Sequence, residues 1–294
     1  MASENHKSGF VSIIGLPNVG KSTLLNTLMG TKLSIVTPKA QTTRHRLRAI
    51  LTGEGYQIVF SDTPGIIIKP GYKLHDAMND YIQQALADAD VFVLVTEAAM
   101  EPEKVYFPEK LKTTKRPIIH VLNKIDLLNQ QEVMNRLEEW RIILPDASHY
   151  AVSAVNKFNV ETIKEEIIEK LPEHAAYFPD DELSDRNLRF FVSEIIREAV
   201  FMQFQQEVPY CCEVQIDEFT EKENITVIKS YLYVSRDSQK SIIIGENGKA
   251  IKRLGITSRK QIEEFLGKKV FLEINVKVSD DWRGNALQIK RFGY

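Results

Sequence analysis

The sequence predicts a mostly parallel α/β domain that contains one antiparallel strand, followed by a smaller α+β domain. Up to Leu171, short apolar runs alternate with helical patterns, as in sheets covered by helices on both faces. Between Pro172 and Asp185 this pattern lapses into a stretch rich in proline and acidic residues, and a length of 294 residues suits two domains. The predicted boundaries are 1–175 for the first domain, 176–186 for a linker and 187–294 for the second domain.

Six apolar segments predict the strands of the first domain. The turn signal Gly53-Glu54-Gly55 separates two of them and predicts a hairpin. The predicted strands are Phe10–Gly15, Arg46–Thr52, Tyr56–Ser61, Asp90–Thr96, Pro117–Asn123 and Tyr150–Ser153. Apolar residues at helical spacing predict helices at Ser22–Met29, Leu74–Ala87, Pro102–Leu111, Gln130–Arg141 and Val160–Leu171.

The second domain begins with a predicted helix at Asn187–Gln205, and a second helical pattern runs from Lys249 to Leu266. Four short runs rich in β-branched residues predict its strands. These are Cys211–Asp217, Ile225–Val234, Ser241–Ile244, which leads into Gly245, and Val270–Val278.

Composition narrows the classes of protein. With 43% hydrophobic and 27% charged residues, the chain has enough apolar side chains for real cores. No apolar run approaches the ~18 residues that span a bilayer, so we expect no transmembrane helix and a cytoplasmic location. A net charge of -2 gives no overall attraction for nucleic acid, so such binding needs a local basic patch. The adjacent Cys211 and Cys212 predict one core thiol and one surface thiol, because neighbouring strand residues point to opposite faces.

A phosphate-binding loop is indicated between the first strand and the first helix. The segment Gly15–Ser22 fits the pattern GxxxxGK[ST], whose glycines let backbone N–H groups face phosphates beside a helix N-terminus. Lys21 supplies a cation for the β- and γ-phosphates, and Ser22 a hydroxyl for Mg²⁺. A glycine-rich turn without a ligand is the alternative. The predicted nucleotide contacts are Gly15, Asn18, Val19, Gly20, Lys21, Ser22 and Thr23.

The segment Asp62-Thr63-Pro64-Gly65 follows a predicted strand and lies 40 residues after Ser22. An aspartate at a strand end is where P-loop enzymes hold the water shell of Mg²⁺. Gly65 can bring its backbone N–H close to a γ-phosphate. By itself the segment would be a tight turn, but its pairing with the phosphate loop favours a catalytic role.

The segment Asn123-Lys124-Ile125-Asp126 predicts selectivity for guanine. An aspartate can accept both the N1–H and the 2-amino group of guanine, while Asn123 serves N7 and the Lys124 stem covers the ring face. Adenine lacks these donors and would leave a buried carboxylate unpaired. Ser153-Ala154 would bring a backbone N–H near O6. The competing class, an ATP-using P-loop kinase or transporter subunit, has no use for this segment, and nucleotide competition separates the two.

The first domain resembles the G domain of translation-factor-class GTPases, and the segment Lys39–Arg46 resembles the switch segment of the Era-like family, whose members act in ribosome assembly. The resemblance implies GTP hydrolysis and a switch threonine that completes Mg²⁺ coordination. Thr43 is the expected ligand and Thr42 is the alternative. The expected metal ligands are therefore Ser22, Thr43 and, through water, Asp62.

Placement of the attacking water is less obvious. Small GTPases orient this water with a glutamine after D-x-x-G, whereas this chain has the apolar run Ile66–Ile68. Asn18 matches a P-loop asparagine that helps to hold K⁺ in some relatives, and such an ion would stabilise transition-state charge. A simple loop hydrogen bond is the alternative role of Asn18. The catalytic candidates are Lys21, Asn18, Thr43 and Gly65.

A loop in the second domain indicates RNA binding. The segment Ile242–Lys249 contains the I-I-G-x-x-G form, in which two glycines permit a tight turn that clamps single-stranded RNA. Residues 240–270 carry eight Lys or Arg against three acidic residues, a local charge of +5. A basic cluster of this kind is typical of a surface that binds the phosphates of nucleic acid. The alternative is a solvated helix face. The RNA-binding candidates are Gly245, Glu246, Asn247, Gly248, Lys249, Lys252 and Arg253.

The order of elements in the second domain looks like a type II KH domain, so the resemblance to the Era-like family extends over nearly the whole chain. It implies 16S rRNA near its 3′ end and the small ribosomal subunit as partners. We also predict a monomer with no DNA partner, and the basic face permits peripheral association with the inner face of the cell membrane. The competing hypothesis is a signalling switch whose second domain is a protein adaptor.

Overall fold

A computed structural model of the chain describes residues 6–106 and 108–294. These residues form two compact units. The first comprises the described residues up to Lys69 together with Met78–Asp185, and the second comprises Pro70–Ala77 and Arg186–Tyr294. The predicted pairing of an α/β domain with an α+β domain is confirmed. The boundary residues proposed for the linker stay a prediction.

The first unit contains a six-stranded sheet in the order β2-β3-β1-β4-β5-β6. All neighbouring pairs are parallel except β2 and β3, which form the predicted hairpin. The strands are β1 Lys7–Ile14, β2 Leu47–Gly53, β3 Tyr56–Asp62, β4 Val91–Glu97, β5 Ile118–Asn123 and β6 Ser148–Ala151. Because the carboxyl ends of parallel strands share one edge, the loops after β1, β3, β5 and β6 meet there.

Helices cover the sheet of the first unit. They are α1 Lys21–Met29, α2 Lys73–Asp88, α3 Glu109–Thr113, α4 Gln130–Ile143 and α5 Val160–Lys170, and α2 belongs to this unit from Met78 onward. The start of α4 is fixed by a capping box, in which Asn129 and Glu132 exchange side-chain and backbone hydrogen bonds. A core of buried side chains packs against β4 and β5, and Trp140, Phe92 and Leu122 are fully buried in it.

The second unit contains a three-stranded sheet in the order β7-β8-β9, antiparallel between β7 and β8 and parallel between β8 and β9. Its elements are α6 Leu188–Gln203, β7 Glu213–Glu221, β8 Ile225–Val234, α7 Asp237–Ile244, α8 Lys249–Leu266, β9 Lys269–Val278 and α9 Ala286–Arg291. Alternate residues of β8 are buried, so one sheet face packs on a core that includes Ile228, Leu232, Ile243 and Ile262.

Two sequence-based element predictions were wrong. Ser241–Ile244 is the end of α7 rather than a strand. Three consecutive isoleucines satisfy either period, and the packing of α7 against α8 and β9 selects the helix. The predicted helix Pro102–Leu111 is instead a 3₁₀ turn at Pro102–Lys104 followed by α3, with Pro108 capping α3. Proline lacks the N–H that a continuous helix needs, so the helix restarts there.

The prediction of one core thiol and one surface thiol was also wrong. Cys211 and Cys212 are both fully buried. They lie in and just after a 3₁₀ turn that precedes β7, where side chains do not alternate as they do in a strand. Both thiols donate to the carbonyl of Val208, at 3.1 and 3.0 Å.

Candidate functional site

A cavity of about 400 Å³ lies at the carboxyl edge of the first sheet. Its lining comes from the phosphate loop and the start of α1, including Gly20, Lys21 and Thr23, and from residues 35–38 and 41–43. Gly65 and Lys124 complete it. The structure therefore brings the predicted phosphate-loop, switch and D-x-x-G segments to one cavity.

Lys21 is held at the base of this cavity as the first residue of α1. Its Nζ donates to the carbonyl oxygens of Gly15 at 3.2 Å and Leu16 at 2.9 Å. Burial lowers the pKa of Lys21 to about 8, and the nearby carboxylate of Asp62 partly opposes this shift. A buried cation at a helix N-terminus is suited to bind the phosphates of a nucleotide.

The side chain of Asn123 joins the phosphate loop to the loop after β6. Its Nδ2 donates to the carbonyl of Val19 at 2.8 Å, and its Oδ1 accepts from the N–H of Ala154 at 3.1 Å. Gly20 has φ 99°, and a Cβ at this position would lie 2.2 Å from Asn123 Nδ2. Glycine is therefore required at position 20 by both the backbone conformation and the approach of Asn123.

Asp126 and Lys124 are held by neighbours outside their own motif. Ser153 Oγ donates to Asp126 Oδ1 at 2.5 Å, so Ser153 orients the carboxylate that would face guanine. Lys124 Nζ donates to Glu97 Oε2 at 2.9 Å. Sequence reasoning missed Glu97, which pairs with Asn123 in the β4–β5 register. The feature of the sequence that could have indicated Glu97 is its position, as an acidic residue at the end of a buried apolar run.

Three oxygen-bearing side chains cluster beside the cavity. Ser22 Oγ donates to Asp62 Oδ2 at 2.7 Å and lies 3.0 Å from Thr43 Oγ1. Thr42 Oγ1 instead donates to the carbonyl of Lys39 at 2.7 Å. The geometry therefore brings Thr43, rather than Thr42, next to Ser22.

Asp62 is fully buried at the end of β3. Burial raises the pKa of its carboxyl, while hydrogen bonds from Ser22 and Ser34, the charge of Lys21 and the adjacent backbone N–H of Thr63 oppose that rise. Both hydroxyls donate to Oδ2. Oδ1 is buried and has no hydrogen-bond partner among residues 6–106 and 108–294. An orphaned carboxylate oxygen of this kind suits a hydrated cation.

The three residues after Gly65 are isoleucines, and none of them can orient water through its side chain. Ile66 is buried, with 7% of its surface exposed. Asn79, which sequence reasoning missed, holds Ile67 by accepting from its N–H at 3.4 Å and donating to its carbonyl at 3.1 Å. Asn18 Nδ2 donates to the carbonyl of Pro38 at 3.1 Å, so the alternative role of a loop hydrogen bond is present in the structure.

The glycine loop of the second unit lies between α7 and α8. Gly245 has φ 71°, and a Cβ there would lie 2.5 Å from Ala250 Cβ, so a side chain does not fit. Asn247 is exposed in the left-handed region with φ 50°. Lys249, Lys252 and Arg253 are exposed in the first turns of α8. The loop backbone and these cations are therefore accessible to a phosphate chain.

Comparisons with known proteins match both units. The family described as 50S ribosome-binding GTPase matches residues 10–124, and the KH domain family matches residues 207–283. The chain is 44% identical to the chloroplastic ERA-like GTPase of Oryza sativa subsp. japonica, over 99% of this chain and 70% of that protein. The chain belongs to the Era family of GTPases.

Solved structures of Era proteins agree in fold. Era in complex with MgGDPNP and nucleotides 1506–1542 of 16S ribosomal RNA superposes with a TM-score of 0.92 at 36% identity, over 98% of this chain and 99% of that one. A substituted Aquifex aeolicus Era bound to GDP and AlF4⁻ gives a TM-score of 0.91 at 36% identity, over the same shares of the two chains. This Era-family chain is therefore a GTPase with a C-terminal KH domain, and the predicted family, fold class and enzyme class are confirmed.

Proposed function

We propose that GTP binds and is hydrolysed to GDP and phosphate at four loops of the first unit, namely Gly15–Thr23, Asp62–Gly65, Asn123–Asp126 and Ser153-Ala154. The supporting observation is the Asn123 side chain, which bonds to both Val19 and Ala154 and so ties the phosphate loop to the guanine loops. Displacement of a fluorescent guanine nucleotide by GTP but not by ATP tests this. Equal displacement by ATP would contradict the guanine assignment.

Mg²⁺ fits the oxygen cluster of Ser22, Thr43 and Asp62. Mg²⁺ prefers hydroxyl, carboxylate and water oxygens, and Asp62 Oδ1 is the buried oxygen left without a partner among the described residues. Ser22 and Thr43 would hold the ion directly, and Asp62 would hold it through water. When bound, Mg²⁺ neutralises charge on the β- and γ-phosphate oxygens.

In this proposal, catalysis depends on positive groups placed around the phosphates. Lys21 binds the β- and γ-phosphates, and the N–H of Gly65 contacts the γ-phosphate. Ile66 is apolar, so water placement depends on other groups. Asn18 Oδ1 makes no hydrogen bond with a described residue and is available to a K⁺ ion, which would stabilise transition-state charge.

We therefore expect K⁺ to accelerate hydrolysis. Replacing K⁺ by Na⁺ at constant ionic strength should lower kcat by roughly 10- to 100-fold, since loss of one preorganised positive group has about this effect or more. In an Asn18→Ala variant, the rates in K⁺ and Na⁺ should converge. Measuring kcat in both salts tests this, and a wild-type rate that is the same in both would refute a K⁺ site.

We propose that the KH domain binds single-stranded RNA, with 16S rRNA near its 3′ end as the ligand, in assembly of the small ribosomal subunit. The support is the Gly245–Gly248 loop, in which Glu246 and Asn247 are exposed, with exposed cations following it. The Era structure with nucleotides 1506–1542 of 16S ribosomal RNA supports the choice of ligand, because it matches this chain over 98% of its length.

If this loop clamps a phosphate backbone, aspartates at Glu246 and Asn247 should weaken RNA binding. Asn247→Asp adds a negative charge where a phosphate would sit, and aspartate tolerates the left-handed backbone there. We expect binding of a single-stranded 16S 3′-end oligonucleotide to fall by at least about 10-fold, in line with roughly 1.4 kcal/mol for one repelled contact. Filter binding across salt concentrations measures it.

A matched control uses the same residue pair elsewhere in the KH domain. Glu223 and Asn224 lie in the exposed turn between β7 and β8, so two aspartates there add the same charge away from the loop. That control should bind RNA as wild type does. Single changes at Lys249 or Lys252 should instead lower the salt slope by about 0.7. Wild-type affinity in the loop variant would make the loop a structural turn.

The remaining predictions concern location and assembly. Among the described residues, no helix is long and apolar enough to cross a membrane. A cytoplasmic location and a monomeric state stay predictions, and the curated relatives are named as chloroplastic proteins. The proposal of peripheral membrane association rests on the exposed basic residues of α8.

A further inference from the structure

Asn26, on the cavity-side helix α1, holds a short piece of the loop that follows this helix. Its Oδ1 accepts from the backbone N–H groups of Leu33 and Ser34, both at 2.9 Å, and its Nδ2 donates to the carbonyl of Ser34 at 2.8 Å. Three hydrogen bonds from one side chain fix the backbone on both sides of Ser34. Neither residue belongs to a nucleotide-binding motif.

The fixed backbone directs Ser34 onto the Asp62 carboxylate. Ser34 is 5% exposed, and its Oγ donates to Asp62 Oδ2 at 2.8 Å. Ser22 Oγ donates to the same oxygen at 2.7 Å. A carboxylate oxygen has about two lone-pair sites in its plane, so these two donors occupy Oδ2 and leave Oδ1 unpaired.

The rotation of this carboxylate matters because Mg²⁺ demands near-ideal octahedral geometry. A carboxylate that contacts the ion through water must present one oxygen at a set position. Groups that orient a ligand without touching the metal change metal affinity by about 10- to 100-fold when removed.

We propose that Ser34 is a positioning residue for the Mg²⁺ site, and that Asn26 holds Ser34 in place. The proposal rests on the Mg²⁺ site proposed above. By donating to Oδ2, Ser34 leaves Oδ1 as the oxygen of Asp62 that can bind the water shell of the ion. Asn26, on α1, holds the backbone at Ser34 in the position that makes this contact.

The test measures divalent-cation binding directly, by titrating Mn²⁺ into the GDP-bound protein and following free Mn²⁺ by electron paramagnetic resonance. Ser34→Ala should weaken Mn²⁺ binding by about 10-fold. Asn26→Ala should also weaken Mn²⁺ binding, although it removes neither of the hydroxyl groups that donate to Asp62. Ser34→Thr keeps the hydroxyl and should bind Mn²⁺ as wild type does. Affinity for GDP in excess EDTA should be the same in all variants.

Ser12→Ala is the matched control, because Ser12 is also a buried serine of the first unit and donates to a carbonyl, that of Ala85, at 2.7 Å. It should bind Mn²⁺ as wild type does. Asp62→Asn separates the two proposals. If Asp62→Asn weakens Mn²⁺ binding but neither Ser34→Ala nor Asn26→Ala does, positioning by Ser34 is wrong. If Asp62→Asn also binds Mn²⁺ as wild type does, the Mg²⁺ site itself is wrong.

Discussion

Lys21→Ala is expected to lower kcat for GTP hydrolysis by at least about 10²–10³-fold and to abolish tight GTP binding. Lys21 is the buried cation of the phosphate loop, and removing one preorganised donor to transition-state charge costs a factor of this size. Fluorescent-nucleotide titration and single-turnover hydrolysis measure the two effects. Lys170→Ala, which removes an ammonium paired with Glu166 in α5, should change neither. Full activity of the Lys21 variant would exclude this loop as the site.

The lowered pKa of Lys21 adds a pH dependence to the same experiment. In the free protein Lys21 has a pKa of about 8, and the negative phosphates of a bound nucleotide favour its charged form. Below pH 8 the lysine is already protonated, so affinity should not change with pH on its account. Above pH 8 binding must take up a proton, and affinity should fall by up to about 10-fold per pH unit. This component should be missing in Lys21→Ala.

The motifs of the first unit could be recognised in the sequence because each one lies at or just after the end of a strand. Once β1, β3 and β5 are parallel neighbours or near neighbours, their carboxyl ends share one edge, and Lys21, Asp62 and Asn123 must lie close together. The hydrogen bond from Asn123 to Val19 is an example, because it joins the end of β5 to the loop that follows β1. The fold class followed from the same alternation of strands and helices.

Other features of the site could not be predicted, because they depend on contacts between residues that are far apart in the sequence. Ser34 and Asn26 matter because a loop folds back onto Asp62, and Glu97 matters because β4 lies beside β5. The sequence favoured Thr43 only through resemblance and kept Thr42 as the alternative, whereas in the folded loop Thr43 lies beside Ser22 and Thr42 bonds to Lys39. The three isoleucines before Gly245 fit either a strand or a helix until tertiary packing selects the helix.

Asp126→Asn is expected to convert the nucleotide specificity from guanine to xanthine. The carboxylate can accept from both N1–H and the 2-amino group of guanine, whereas an asparagine amide can donate to the 2-oxo group of xanthine. Ser153 Oγ already donates to Oδ1 of this carboxylate, so the group is oriented before the base arrives. GDP affinity should fall by about 10⁴-fold, the scale on which sites built for hydrogen bonds reject a mismatched partner.

Titration with fluorescent GDP and XDP measures this switch on one protein. Asp146→Asn, at an exposed aspartate in the turn before β6, removes the same charge without touching the cavity and should keep wild-type preference. A variant that merely misfolds would lose affinity for both nucleotides, whereas a specificity switch must gain XDP binding while it loses GDP. Equal GDP affinity in wild type and variant would remove Asp126 from the guanine site. Because Lys21 and the phosphate loop are untouched, the switched variant should still hydrolyse XTP, which separates base recognition from the chemistry at the phosphates.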